Sequence, residues 1–245
     1  GEQEMDIRQV LKFLGEDHKQ ESGGGRAFDT YLPTRKMFLP VNKQWFVDNK
    51  LVSGGDSSLV DTIHINIGKD KKYIIKDELA MLDIVASNLG KRPIYWAVTC
   101  REDKLLGFED YLQLEGLSLQ IVPRKVKSSM DAYGIIGSGG VDTDKMYENI
   151  MDKWKWGNFD KERSFVDRSY MPSLQTMRVS IIRLARQLVM EGKKDKAIAL
   201  VDKYFEVFPQ MNFPYDQFTA FMTDIYAMAG EKVKAAAKMR EIAAQ

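Results

Sequence analysis

Asp and Glu together number 35 in this chain, so a general acid–base pair is the first chemistry to look for. No pair stands out. Asp77 and Glu78 open a helical stretch, where acidic side chains favour the positive end of the macrodipole, and they read as capping groups. Glu109, Asp110 and Glu115 fall in FEDYLQLEG and read as the solvated face of an amphipathic helix. His64 alternates with Ile63 and Ile65, which puts it on the polar side of a strand. His18 sits in a charged helix end and reads as surface. Cys100 is the only cysteine. A reactive thiol needs a basic partner, and only Arg101 is near. The runs Ser22–Arg26 and Gly137–Gly140 neither follow a clean strand nor open a helix, so they fail the context of a phosphate cradle and read as flexible loops. We therefore expect no catalytic residue, no metal ligand set and no cofactor.

Binding chemistry is easier to find. Arg92 precedes Pro93 at the mouth of an apolar strand, where a guanidinium could take a carboxylate or phosphate through two bonds. The competing reading is an ion pair with a local Asp or Glu. Trp154, Trp156, Phe159 and Tyr170 could stack on sugar rings, but aromatics of this size commonly dominate buried contacts, which favours packing between domains.

The elements that must position these groups follow from hydrophobic spacing. Ile7, Val10, Leu11 and Leu14 predict an amphipathic helix over 6–14, with Asp6 as N-cap. YLPTRKMFLPV carries two prolines and suits extended segments at a sheet edge. A short helix over 42–49, a loop over 53–58, and a hairpin of DTIHINI and KYIIK are expected next. Residues 77–88 predict a helix buried through Leu79, Leu82, Ile84, Val85 and Ala86, with Gly90 near its C-cap. IYWAVT is nearly all apolar and reads as a strand covered on both faces of a parallel sheet. With a helix over 108–116 and the strand LSLQIVP, it predicts a right-handed crossover. Residues 124–140 turn basic and then Gly/Ser-rich, marking a boundary. Beyond it the strand signals stop, and 142–154 reads as a helix with Met146, Ile150 and Trp154 on one stripe.

From Ser173 the pattern is helical and repeats. Leu184, Ala185, Leu188, Gly192 and Ala197 recur at one offset as Met222, Thr223, Tyr226, Gly230 and Ala235. A small residue where helices approach, a glycine in the turn and an alanine on the second helix describe helix–turn–helix units. With Tyr204 and Pro209, the first unit resembles the tetratricopeptide pattern. It lacks the usual Trp, and the second unit has Thr223 in place of the small alanine. The expected organisation is an α/β domain over 1–128 with a mixed or parallel sheet, a linker and connecting helix over 129–172, and an all-α tetratricopeptide-like tail over 173–245.

Lys and Arg total 36, leaving a net charge of +1, which excludes a dedicated nucleic-acid binder with a basic excess. No apolar run approaches the roughly 20 residues of a spanning helix. The opening GEQEMDIRQV has neither an apolar signal core nor an initiator Met, as expected of a soluble piece cut from a longer protein.

Several segments together resemble one family of multipass membrane proteins of Bacteroidetes, the protein O-mannosyltransferase-like DUF2723 family. They are YLPTRKMFLPVNK, LDIVASNLGKRPIYWAVT, GFEDYLQLEGLSLQIVP, MDKWKWGNFD and MRVSIIRLARQLVMEGKKDKA, and they cover most of the chain. The resemblance implies a parent in the inner membrane that looks like lipid-sugar-dependent glycosyltransferases. Its catalytic acids would lie between early spans, and a soluble region would follow on the periplasmic side. Asp61-Thr62-Ile63 also resembles a short O-glycosylation sequon of Bacteroidetes periplasmic proteins. On this reading the chain is a non-catalytic accessory region. It would bind an acceptor or partner protein through tail residues expected at the surface: Arg178, Arg183, Arg186, Tyr215 and Gln217. The alternatives are a self-contained enzyme using Thr99, Arg101, Glu102 and Arg124 at the C-terminal ends of parallel strands, and a scaffold without ligand.

Overall fold

Asp6 ends the short strand β1 (Met5–Asp6) and starts helix α1 (Ile7–Gly15), as its side chain dictates. The carboxylate accepts the Arg8 N–H at 2.8 Å and so satisfies a donor that the first turn leaves open. The computed structural model describes residues 3–16, 20–21, 27–28, 31–126 and 139–244. His18 and the Ser22–Arg26 run lie outside them.

Strands β2 (Gln20–Glu21) and β3 (Ala27–Phe28) form an antiparallel ribbon. Strand β4 (Lys36–Pro40) is not the edge strand that its prolines predict. It lies between β1, to which it runs parallel, and β5 (Thr62–Asn66), to which it runs antiparallel. Pro33 precedes the strand and Pro40 is its last residue, so no ladder N–H between them is lost. Met37 and Leu39 face inward opposite Ile65 and Ile63. Helix α2 (Lys43–Asp48) intervenes where a short helix is expected, and the Asn42 side chain caps it.

KYIIK forms no strand. The Arg35 guanidinium donates to the carbonyls of Gly68 (2.9 Å) and Lys71 (2.7 Å), and the Ile75 N–H goes to the Glu78 carboxylate. Side chains thus take up backbone groups that a hairpin would have used. Helix α3 (Lys76–Asn88) follows and packs on α1 through Leu82, Val85 and Ala86. Ile84, expected inside, is 54% exposed.

The second sheet overturns the crossover. Strand β6 (Tyr95–Ala97) is an antiparallel edge strand, and only Trp96 of its three residues is buried. Residues 112–114 are not helical. They form strand β7 (Leu112–Leu114), which makes a hairpin with β8 (Ser118–Ile121). Gly116 turns this hairpin at φ +139°, a conformation costly for any residue with a Cβ. Strand β9 (Gly140–Val141) adds parallel to β7. The β1–β4–β5 and β6–β8–β7–β9 sheets are mixed, and the region is α/β as expected.

Helix α4 (Thr143–Glu148), capped by Asp142, runs into one π-turn (Asn149–Lys153). Met146 and Ile150 are fully buried, and Trp154 packs on the core. Four helices complete the chain: α5 (Met171–Met190), α6 (Lys194–Val207), α7 (Gln217–Ala229) and α8 (Lys232–Ala243). The residues paired by the sequence offset occupy matching places. Leu184 and Met222, Ala185 and Thr223, Leu188 and Tyr226, and Ala197 and Ala235 are all buried. Gly192 (φ +75°) and Gly230 (φ +106°) make the two turns. Neighbouring helices pack in sequence, and α7 also rests on α5.

Candidate functional site

A buried carboxylate with two ammonium partners lies where α3 begins. Glu78 stands in the first turn, and its side chain is 3% exposed. One oxygen accepts the Ile75 N–H at 3.0 Å, while the other meets Lys71 Nζ at 2.7 Å and Lys104 Nζ at 2.9 Å. Lys104 also donates to Asp77 at 2.8 Å, and Lys71 to the Asp103 carbonyl at 3.1 Å. Burial alone would push the Glu78 carboxyl up, but the Lys71 ammonium, the Ile75 N–H and Lys104 outweigh it and hold it below its ordinary 4.5. This clasp ties together the loop after β5, the start of α3 and the turn at 102–104. It floors a cleft of about 660 Å³ rimmed by Asn66, Tyr73, Glu102 and Glu109. The sequence reading as capping was correct in kind. It missed the two lysines, which approach from 7 and 26 residues away.

A second polar cluster lies on one face of the hairpin β7–β8. Glu115, expected on a solvated helix face, is instead 5% exposed. It accepts from Lys145 Nζ at 2.8 Å and from Gln113 at 3.2 Å, and its carbonyl takes the Asn149 side chain. Burial raises its pKa, and Lys145 offsets this only in part. Burial and then the nearby Glu115 charge push the Tyr95 hydroxyl up to about 12. Gln113 also accepts from Arg124, which is paired to Asp56 at 2.6 Å. A period-two reading of Leu112-Gln113-Leu114-Glu115 would have found this face.

The remaining expected residues are scattered. Arg92 is exposed and makes no ion pair among the described residues, against the reading that pairs it with a local acid. His64 is exposed beside Glu4, as the strand alternation implied. Trp154 packs over Gly116 and Trp156, and Trp156 meets Phe208 edge-on, so these two aromatics join the regions as expected. Phe159 does the same against Phe213. Tyr170 is 64% exposed and takes no part.

Two of the tail residues expected at the surface are buried. Arg178 is 3% exposed and forms two bonds to Asp216 (2.7 and 2.6 Å), a third to the Tyr204 hydroxyl (2.8 Å), and a stack over Phe218. Arg183 is 8% exposed and donates to the Gly139 carbonyl at 2.8 Å. Arg186 and Tyr215 are half-buried, with the Tyr215 hydroxyl on Glu241, and Gln217 is exposed. The enzyme alternative loses its geometry. Strand β8 runs against β6, so Arg124 lies at the opposite end of the sheet from Thr99, Arg101 and Glu102. Cys100 is exposed on the rim of a groove between β6 and α5 that Gln175, Val179 and Phe218 also line.

Among the described residues no helix is long and apolar enough to cross a membrane, and no group of His, Cys, Asp and Glu could hold a metal ion. No curated protein and no solved structure matches the chain. A family model described as TMEM260-associated domain 2 matches residues 1–145, from β1 through the second sheet to the start of α4. That stretch is more than half of the chain, and the chain therefore belongs to the family of TMEM260-associated domain 2.

Proposed function

We propose that this chain is the non-catalytic accessory region of a membrane-bound, glycosyltransferase-like protein of the DUF2723 type. It works by holding an acceptor or partner protein. The parent sits in the inner membrane and this region faces the periplasm. It divides into an α/β domain over 1–128, a connection over 129–172 and a tetratricopeptide-like tail over 173–245. The observation that carries the reading is the match of residues 1–145 to a domain named for its association with a transmembrane protein. Two further features support it. The buried carboxylates are engaged in bracing: Glu78 by two lysines and Glu115 by Lys145. The tail presents extended helical surface of the kind that binds peptides. Gln217, Tyr215 and Arg186 remain its contact candidates, and Arg92 and Tyr170 offer exposed groups elsewhere.

The test uses the purified chain with nucleotide-sugars, lipid-linked sugars and acceptor peptides. Saturable peptide binding without product is the expected result. Sugar transfer by this chain alone would overturn the accessory reading, and absence of any peptide binding would favour a plain scaffold.

A further inference from the structure

The second sheet is closed along one edge and open along the other. At the closed edge β9 pairs with β7 through two residues. At the other edge β6 has a neighbouring strand, β8, on one side alone among the described residues. The ladder fixes which of its backbone groups are used. The Ile121 N–H donates to the Ile94 carbonyl at 3.0 Å, and the Val98 N–H to the Leu117 carbonyl at 3.2 Å. Ile94, Trp96 and Val98 therefore bond inward to β8, and Tyr95 and Ala97 turn their backbone groups outward. The Ala97 carbonyl accepts the Cys100 N–H at 2.9 Å. The Tyr95 N–H, the Tyr95 carbonyl and the Ala97 N–H have no partner among the described residues, and both residues are exposed.

Unpaired donors and acceptors at this spacing are the template of an added strand. β6 is short, but β9 shows that this sheet takes a strand of two residues. Two neighbours narrow the choice of occupant. At one end of the edge, Val98 lines the groove of about 490 Å³ beside α5, together with Leu119, Val179 and Phe218. At the other end stands Arg92, an exposed cation with no ion pair among the described residues. The edge thus offers backbone bonds along its length, an apolar slot at one end and a positive charge at the other.

We infer that β6 takes up an extended segment of a partner protein, antiparallel to it, as an added strand of the second sheet. Tyr95 exchanges two backbone bonds with the residue opposite, and the Ala97 N–H donates to the carbonyl two residues earlier in the segment. Side chains alternate, so an apolar residue opposite Val98 enters the groove. The residue opposite Arg92 comes six positions later in the segment and carries a carboxylate. A second copy of this edge lacks that match. Pairing centred on Tyr95 sets Val98, and no acid, opposite Arg92. The inference deepens the partner-binding reading above and rests on it only for the partner's existence.

The probe is the blocked peptide acetyl-Val-Thr-Val-Thr-Val-Thr-Asp-amide. Its first Val falls opposite Val98 and its Asp opposite Arg92. N-methylation of its fourth residue removes the N–H that faces Tyr95, whereas N-methylation of its third removes one that faces solvent. Titrated against the whole chain by calorimetry, the first change should weaken binding at least about tenfold and the second less than about twofold. Arg92→Glu should weaken binding about tenfold, and Lys in place of the peptide's Asp should restore it. Bound peptide should also slow hydrogen exchange at the Tyr95 and Ala97 amides. Circular dichroism should show the variant folded, since Arg92 is exposed. No saturable binding, equal effects of the two N-methylations, undiminished binding by Arg92→Glu, or a dimer of the chain paired through β6 would overturn the proposal. Such a failure leaves the tail surfaces open to an acceptor, whereas sugar transfer by the chain would remove the accessory reading and leave the peptide result standing.

Discussion

A carboxylate held by two ammonium groups and an amide is worth more to this chain than its exposed ion pairs, because water cannot compete for it. Glu78→Gln keeps the volume but loses the charge. It should lower unfolding free energy by about 2–3 kcal/mol, read from urea denaturation. The effect has a definite pH sign. The folded pKa of Glu78 lies below its ordinary 4.5, so its stabilisation is complete above that pH and is lost as pH falls through the folded value. The gap between the native chain and Glu78→Gln should therefore narrow below about pH 4.5; a gap that stayed constant to pH 3 would refute the clasp. Glu115 behaves oppositely. Its folded pKa is raised, so ionisation costs stability above that value and protonation relieves it. Glu115→Gln should accordingly be milder than Glu78→Gln at pH 7. Arg178→Ala removes a guanidinium that makes three hydrogen bonds to two residues, Tyr204 and Asp216, and about 3 kcal/mol should go with it.

At the scale of elements, the second sheet depends on close backbone approach. A Cβ on Gly139 would meet the Leu112 carbonyl oxygen at 2.5 Å, and the residue has φ +78°. Gly139→Ala should cost at least about 2 kcal/mol and weaken protection of the β7 amides in hydrogen exchange. The same elements show where sequence patterns carry structure. Asp6 marked its helix because capping is local chemistry, readable within four residues, and Asn42 and Asp142 cap theirs in the same way. The tail was legible because its period is long and its glycines are fixed by backbone geometry. The crossover was misread because an apolar run does not tell parallel from antiparallel pairing: in β6 the pleat buries only Trp96, and its neighbours cover an edge. Residues 108–116 looked helical by composition, but Leu112-Gln113-Leu114-Glu115 alternates, and Gly116 was the turn. The candidate site was half visible. Glu78 falls three residues after Ile75, at the position that folds back on a helix start, whereas Lys71 and Lys104 arrive only through tertiary packing.

The α/β region and the tail share one continuous core. Charged contacts reinforce it, with Thr143 on Glu191, Lys193 on Asp144 and Arg183 on the Gly139 carbonyl. Urea unfolding should therefore be a single transition, with tryptophan fluorescence and far-ultraviolet circular dichroism coinciding. Two resolved transitions would mean that the halves fold separately. The groove beside that seam has a further consequence. Its rim carries the lone thiol, so a single maleimide dye can be placed between sheet and tail without mutating the chain. Emission from a label at Cys100 would register any shear between the halves, which makes the molecule its own strain gauge.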